Sequence, residues 1–191
     1  MKLTPEAGRL LLAQRTHLQR LLAEAYLDSC RSDAEQIRAI AGDQTGVCVD
    51  IGGGLGGVSA CLSRFWPEAN FIIADRDGYE GRKIDFGDDF GCYNSLKETH
   101  RFLWSAGVPH ETVNLMKEPL PDSADFGFSV LSWGFHYPVS THIEWAAATL
   151  KLLVIDCRAE TGAAEELKKF FSVVERVVST EKHEWYRCTH A

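Results

Sequence analysis

The chain has 191 residues, and 45% of them are apolar, which supplies enough nonpolar side chains for the core of one domain. Its formal net charge of −7 disfavours nucleic acid and membranes as partners, because both are anionic and require a basic surface. The six cysteines form no C-x-x-C pair and the N-terminus lacks an apolar signal core, so we expect a reduced, cytoplasmic protein.

Helical patterns occupy the N-terminal part of the chain. A capping box formed by Ser32 and Glu35 predicts that a second helix begins at Ser32. We therefore divide the chain into N-terminal helices at 1–42 and a core at 43–191. Two roles for the helices stay open: they cover one face of a sheet, or they form part of a lid over a substrate.

The segment from Val47 to Asp77 carries the strongest signal. An apolar run ending in Asp50 predicts a buried strand, a glycine cluster predicts a turn, and apolar residues spaced three and four apart predict a helix. A second apolar run ends in Asp75, so the unit is βαβ. Glycines let the backbone approach a ligand, and Asp75 is placed to accept hydrogen bonds from both hydroxyls of a ribose. The segment therefore predicts a ligand that contains ribose.

Two cofactor patterns overlap in the glycine cluster. Gly52, Gly54 and Gly57 fit the dinucleotide pattern G-x-G-x-x-G, whereas Asp50 followed by Gly52, Gly54 and Gly56 fits the acid-x-G-x-G-x-G pattern of S-adenosylmethionine sites. A carboxylate at Asp50 would repel a pyrophosphate, but S-adenosylmethionine has no phosphate and carries a sulfonium and an ammonium. The acid favours S-adenosylmethionine, and a nicotinamide oxidoreductase is the weaker alternative.

The chain from Asp43 to the C-terminus resembles the class I (Rossmann-like) S-adenosylmethionine-dependent methyltransferases. The resemblance implies one doubly wound α/β domain, whose seven-stranded sheet is mostly parallel, ends in an antiparallel hairpin and has helices on both faces. Strand-like stretches at 173–180 and 184–189 support it, because their short connection allows only an antiparallel pair. The sixth strand of a dinucleotide dehydrogenase is parallel instead.

The resemblance also implies S-adenosylmethionine as cofactor, S-adenosylhomocysteine as product, and a set of cofactor contacts. The glycines would pass beneath the cofactor, Asp75 would hold the ribose, and residues past the third strand would touch the adenine, where Asn114 replaces a frequent acid. The segment after the fourth strand would lie beside the methyl group. The implied cofactor contacts are Asp50, Gly52, Gly53, Gly54, Gly56, Asp75, Arg76, Asn114, Leu115, Ser132 and Trp133.

The segment 132–138 is the second informative stretch. An aromatic face of Trp133 or Tyr137 would tolerate a sulfonium at the transfer site, and His136 could take the proton of an attacking hydroxyl. This segment and the stretch that begins at Tyr93 resemble parts of small bacterial sugar and natural-product O-methyltransferases. The similarity implies substrate contacts at Tyr93, His136 and Tyr137.

These patterns predict in-line methyl transfer to a small-molecule hydroxyl, with His136 as the general base. We expect no metal, because Asp156 at the fifth strand lacks the fourth-strand acid that catechol-type enzymes pair with it. A non-catalytic S-adenosylmethionine-binding sensor or partner subunit, and a scaffold without a ligand, stay open. So do the acceptor, a homodimer, and the role of the loop at 78–92, which is either a substrate-side loop or a surface excursion.

Overall fold

The structure, a computed structural model, describes residues 23–79 and 93–190. Within these ranges the helices are α1 (Ala23–Ala41), α2 (Gly57–Leu62), α3 (Leu96–Ser105), α4 (Ile143–Thr149) and α5 (Ala163–Leu167). The strands are β1 (Gly46–Ile51), β2 (Ala69–Asp75), β3 (Gly78–Tyr79), β4 (Tyr93–Asn94), β5 (His110–Asn114), β6 (Phe126–Ser129), β7 (Leu152–Arg158), β8 (Val173–Ser179) and β9 (His183–Thr189).

Seven of these strands form one twisted sheet in the order β5-β2-β1-β6-β7-β9-β8. The first five run parallel, while β9 is antiparallel to both β7 and β8. The strand order reverses between β1 and β6, which is where open α/β sheets bind ligands at the carboxyl ends of their strands. The predicted fold class, including the terminal antiparallel hairpin, is confirmed.

Apolar side chains alternate between the two faces of the sheet and form a core on each. Helices α1, α2 and α3 pack on one face, where Trp66 meets Phe126 edge to face at 5.4 Å. Helices α4 and α5 pack on the other face against residues such as Val49 and Ile155. None of the helices within the described ranges is long and apolar enough to cross a membrane.

The N-terminal part differs from the prediction. A single helix, α1, passes through Ser32 without a break, so the prediction that a helix begins there is wrong. Cys30, Ala34 and Ile37 are buried at helical spacing on both sides of the capping signal, and this continuous apolar stripe keeps the helix going. Residues 1–22, where the first helix was predicted, lie outside the described residues, as does the loop at 78–92 from residue 80 onward.

Candidate active site

A cavity of about 1050 Å³ opens at the carboxyl ends of β1, β2 and β6. Its size suits a small organic ligand, and its position is the one expected for an open α/β sheet. The cavity brings together residues that are far apart in the sequence. The predicted site residues that line it are Asp50, Gly52, Gly53, Gly54, Asp75, Arg76, Leu115, Ser132, His136 and Tyr137.

The glycine turn after β1 has no room for side chains. Gly52 and Gly54 have φ angles of 72° and 58°, in the left-handed region that favours glycine. A Cβ atom at Gly52 would collide with the Ser132 side chain, and one at Gly53 would lie 2.6 Å from the carboxyl carbon of Asp50. The turn therefore presents backbone to the cavity.

Gly56 has a different role from the one predicted. It also has a positive φ, but it is buried and does not line the cavity. A Cβ atom there would lie 2.9 Å from Cδ1 of Leu103 on α3. The missing side chain at Gly56 thus lets α3 pack against the start of α2, and a cofactor contact at this residue is not supported.

Asp50 lies beneath the glycine turn and is 3% exposed. Its Oδ2 accepts a hydrogen bond from the Ser59 hydroxyl at 2.7 Å. Burial raises the pKa of Asp50 to about 7, although the bond from Ser59 works in the opposite direction and the negative Asp75 adds to the rise. This carboxyl group therefore changes its charge near neutral pH.

Asp75, at the end of β2, is tied to the same turn. Its Oδ2 accepts from the backbone N–H of Gly54 at 2.8 Å, and its Oδ1 accepts from the N–H of Arg76 at 2.7 Å. Burial raises the pKa of Asp75 to about 6 against the effect of these bonds. A carboxylate has about four acceptor positions, so Asp75 keeps the capacity to accept from a ligand hydroxyl.

Asn94, which the sequence reasoning did not single out, joins these groups. Its side-chain amide donates to the carbonyl of Gly54 at 3.0 Å and to Oδ2 of Asp75 at 3.2 Å. The Thr99 hydroxyl donates to the same Gly54 carbonyl at 2.7 Å. Asn94 follows Tyr93 on the short strand β4, and the side chain of Tyr93 lies outside the described part of the structure.

Strand β5 is the third strand predicted from the sequence, and the two residues predicted as adenine contacts at its end have different roles. The side-chain oxygen of Asn114 accepts from the N–H of Met116 at 3.0 Å, so this buried amide shapes the turn and does not line the cavity. The following residue, Leu115, lines the cavity, and its N–H donates to the carbonyl of Asp75 at 3.0 Å. Of these two residues, for which an adenine contact was predicted, only Leu115 lines the cavity.

The segment after β6 turns sharply at Leu131, a non-glycine residue with a φ of 53°. Tyr137 lines the cavity beside Ser132, and burial raises the pKa of its phenol far above the ordinary value. Trp133 is fully buried on the other side of the segment, where its indole N–H donates to the carbonyl of Val139 at 3.0 Å. Of the two aromatic residues predicted as alternatives for the transfer site, Tyr137 lines the cavity and the Trp133 indole belongs to the core.

Two histidines face this end of the cavity. The ring of His136 meets Phe135 edge to face at 5.1 Å. His183, the first residue of β9, stacks on the same phenyl ring at 4.8 Å, and its Nδ1 lies 3.0 Å from Oδ1 of Asp156. The sequence reasoning missed His183, because only the antiparallel register of β7 and β9 brings it to Asp156.

Asp156 is fully buried near the end of β7. Its Oδ2 accepts from the N–H of Leu131 at 3.3 Å and lies 3.1 Å from Nδ1 of His183. Burial raises the pKa of Asp156, and the neighbouring His183 opposes the rise. The acid that the sequence reasoning considered for a metal site is therefore engaged by a histidine.

No family model matches the chain, and no curated protein does. Solved structures do match. Precorrin-6y C5,15-methyltransferase from Geobacter metallireducens GS-15 superposes with a TM-score of 0.60 at 18% identity, over 84% of this chain and 87% of that one. The mitomycin 7-O-methyltransferase MmcR gives a TM-score of 0.60 at 15% identity, over 92% of this chain and 60% of that one.

A dimethyladenosine transferase from Plasmodium falciparum also superposes, with a TM-score of 0.56 at 15% identity, over 83% of this chain and 61% of that one. Together these similarities show that the chain has the fold of the class I (Rossmann-like) S-adenosylmethionine-dependent methyltransferases. The names of the neighbours range from a mitomycin 7-O-methyltransferase to a putative RNA methyltransferase from Pyrococcus horikoshii, so the fold does not specify an acceptor.

Proposed function

We propose that the protein transfers a methyl group from S-adenosylmethionine to a hydroxyl of a small molecule. The observation that carries this proposal is the glycine turn, which joins Asp50 and Asp75 at the point where the strand order reverses. Both carboxyl groups line the same cavity as the turn. We also propose that the protein is cytoplasmic. Whether it forms a homodimer is to be determined by measurements in solution.

The chemistry of these groups fits S-adenosylmethionine better than a dinucleotide. Asp75 would accept hydrogen bonds from the ribose hydroxyls, Asp50 would face the cationic amino acid part, and Leu115 would lie against the adenine. Two carboxyl groups beside the turn would repel a pyrophosphate, whereas a cation would favour their ionised forms. The fit therefore rests on charge as well as on shape.

The residues of the chain would act mainly by alignment. S-adenosylmethionine supplies an activated methyl group when it is bound. Phe135 and Tyr137 offer aromatic faces that tolerate a sulfonium. The segment 132–138, which contains both residues, would exclude water from the sulfonium. Holding donor and acceptor in line reduces the entropic part of the barrier, by up to about 7–11 kcal/mol in well-aligned reactions.

Two observations support a small acceptor. The chain carries a net charge of −7, and the acids at the cavity, which include Glu160 and Glu181, outnumber its cations Arg76, Arg158 and Lys182, so a polyanionic acceptor would meet net repulsion there. Tyr26 and Asp33 of α1 also line the cavity. We propose on this basis that the N-terminal segment 1–42 contributes to acceptor binding and does not only cover the sheet.

Calorimetric titration with S-adenosylmethionine, S-adenosylhomocysteine and NADH tests the cofactor. We expect micromolar binding of both adenosyl ligands and no binding of NADH. Binding of NADH alone would indicate instead that the protein catalyses hydride transfer. A following mass-spectrometric screen of phenols, alcohols, amines and thiols tests the acceptor, and products confined to amines or thiols would contradict a hydroxyl.

A matched pair of glycine variants tests the site itself. Gly52 and Gly107 have nearly the same φ, 72° and 71°, so an alanine carries the same backbone strain at either position. Only at Gly52 would the new Cβ also collide with Ser132, whereas nothing lies within 4 Å at Gly107. Gly52→Ala should lose adenosyl ligand binding and Gly107→Ala should keep it. Equal affinities in the two variants would refute the assignment of the turn.

A further inference from the structure

We propose that His183 is the general base for methyl transfer at this site and that Asp156 is its positioning residue. The inference rests on the proposed function, because it names the group that receives the acceptor's proton. Three properties of the described residues carry it: the hydrogen bond between the two side chains, the fixed orientation of the ring, and the place of the pair in the cavity.

The hydrogen bond sets which ring nitrogen holds the proton. Nδ1 of His183 lies 3.0 and 3.1 Å from the two carboxyl oxygens of Asp156. An ionised carboxylate only accepts hydrogen bonds, so a neutral imidazole beside it carries its hydrogen on Nδ1. Nε2 is then left with a lone pair that can take a proton from a hydroxyl.

One further contact holds the ring of His183, and hydrogen bonds to Thr180 hold its backbone. It stacks on Phe135 with ring centroids 4.8 Å apart and planes 21° from parallel. Its backbone N–H donates to the Thr180 hydroxyl at 3.0 Å, and its carbonyl accepts from the Thr180 N–H at 2.8 Å. Rotation about the side-chain bonds would break the contact with Asp156, so the ring is preorganised.

The pair is connected to the glycine turn by one short segment. Asp156 accepts from the N–H of Leu131, and the next residue, Ser132, lies directly against Gly52. His183 lines the same cavity as the turn, and its side chain is 33% exposed, so a ligand can reach it. Asp156 is fully buried and acts only through the histidine.

The pair favours acceptors that must lose a proton. As the acceptor oxygen attacks, its bond to the methyl carbon forms and the carbon–sulfur bond breaks, with the electron pair staying on sulfur as a neutral thioether. The hydroxyl proton passes to Nε2 of His183, and the imidazolium is stabilised by the Asp156 carboxylate. The substrate class is therefore a phenol or alcohol that is neutral at the working pH.

The tautomer can be read without any acceptor. Long-range proton–nitrogen NMR correlation on the whole protein, labelled with ¹⁵N-histidine, distinguishes a protonated Nδ1 from a protonated Nε2. The His183 signals are assigned by their loss in His183→Gln. We expect hydrogen on Nδ1 in the native protein and a changed pattern in Asp156→Asn. Hydrogen on Nε2 of native His183 would overturn the proposal, whatever the cofactor titration shows.

Rates with two probe acceptors separate a base from a structural residue. Catechol needs a base, while the more acidic 4-nitrocatechol is already largely ionised at mildly alkaline pH. His183→Gln should slow methylation of catechol by on the order of a hundredfold or more and affect 4-nitrocatechol much less. Equal losses with both probes would overturn the assignment.

Two comparisons complete this experiment. His136→Gln, at the other cavity histidine, should slow both probes by a similar factor, and a loss selective for catechol would transfer the role of base to His136. The exposed His100→Gln serves as the control and should keep the native rates. The affinity of His183→Gln for S-adenosylmethionine should equal that of the native protein. If the native protein itself does not bind S-adenosylmethionine, the proposed function is refuted, and not only the assignment of the base.

Discussion

At the scale of single residues, the site is defined by acids that are costly to ionise. Asp50 is buried and Asp75 is half-buried, and the pKa of each is raised, to about 7 and about 6. Their negative charges also act on each other. A bound cation would offset this cost, so ligand affinity and proton binding at the site should be linked.

This linkage predicts the pH dependence of cofactor binding. A cationic ligand favours the carboxylate of Asp50 and so lowers its pKa, which means that binding near pH 6.5 should release a proton. Affinity for S-adenosylmethionine should rise as the pH increases from 5.5 to 7.5. Calorimetry in two buffers with different ionisation enthalpies measures the released proton directly.

Substitution of the acid checks which group is responsible. Asp50→Asn should bind S-adenosylmethionine more weakly and should lose the proton release near pH 7, while a smaller release from Asp75 persists at lower pH. Asp122→Asn, at an exposed aspartate, should behave like the native protein. A native-like release of protons in Asp50→Asn would exclude Asp50 as the linked group.

At the scale of secondary-structure elements, α3 supports the glycine turn. The residue before its N-cap, Asn94, and Thr99 in its first turns both donate to the carbonyl of Gly54. Leu103, about one turn after Thr99, occupies the space left open by Gly56. The start of α3 therefore affects the ligand site even though the helix itself covers the far side of the turn.

The N-cap of α3 offers a direct measurement. The Ser95 hydroxyl accepts from the backbone N–H of Glu98, so Ser95→Ala should lower the free energy of unfolding by about 1 kcal/mol. Urea denaturation followed by circular dichroism gives this value. Ser105→Ala, at an exposed position at the other end of the same helix, should change it by less than about 0.5 kcal/mol. Equal effects would show that Ser95 does not cap the helix.

The elements that could be predicted are those determined by residues close together in the sequence. The strand, glycine turn, helix and strand of the first βαβ unit follow from local periodicity, and Ser95 is the N-cap that its capping box predicts. The same kind of signal failed at Ser32, because packing against the sheet outweighs a cap when the apolar stripe continues beyond it.

Features that depend on distant partners were not predictable. Trp133 followed a strand in the expected segment, but its orientation depends on the carbonyl of Val139 and the surrounding core. His183 is 27 residues from Asp156, and their contact depends on strand register. The sequence shows that His183 and Asp156 are present, but it does not show the strand register that brings them into contact.

At the scale of the whole molecule, two buried acids, Asp50 and Asp156, and the half-buried Asp75 lie along one edge of the sheet. The pKa values of Asp50, Asp75 and Asp156 are all raised, mainly by burial. The folded protein therefore binds more protons than the unfolded chain at mildly acidic pH. The stabilising contribution of these groups is complete below their unfolded pKa of about 4 and is lost as the pH rises through their folded values.

Thermal stability should follow this pattern. The melting temperature of the ligand-free protein should rise as the pH is lowered from 8 to 5.5, and differential scanning calorimetry across this range would measure the change. His142 opposes the trend within this range, because burial lowers its pKa to about 4 while the unfolded histidine takes up a proton near pH 6.5, but it is one group against three. Exposed acids with lowered pKa values, such as Glu165, oppose the trend only at more acidic pH. In Asp50→Asn the rise should be smaller, because one of the three titrating groups is removed. A melting temperature that falls steadily from pH 8 to 5.5 would contradict this account.

The place of β9 in the sheet has a consequence for how the protein is made. Among the described strands, β8 pairs with β9 alone, and β9 pairs with β7. Strand β8 therefore joins the sheet through β9, although it comes first in the sequence. During synthesis β8 leaves the ribosome before its link to the sheet exists. The glycine turn and Asp75 precede both strands in the chain, whereas His183 arrives with β9. A nascent chain can therefore form the glycine turn and the strand that carries Asp75 first. It gains the proposed base only when β9 inserts between β7 and β8.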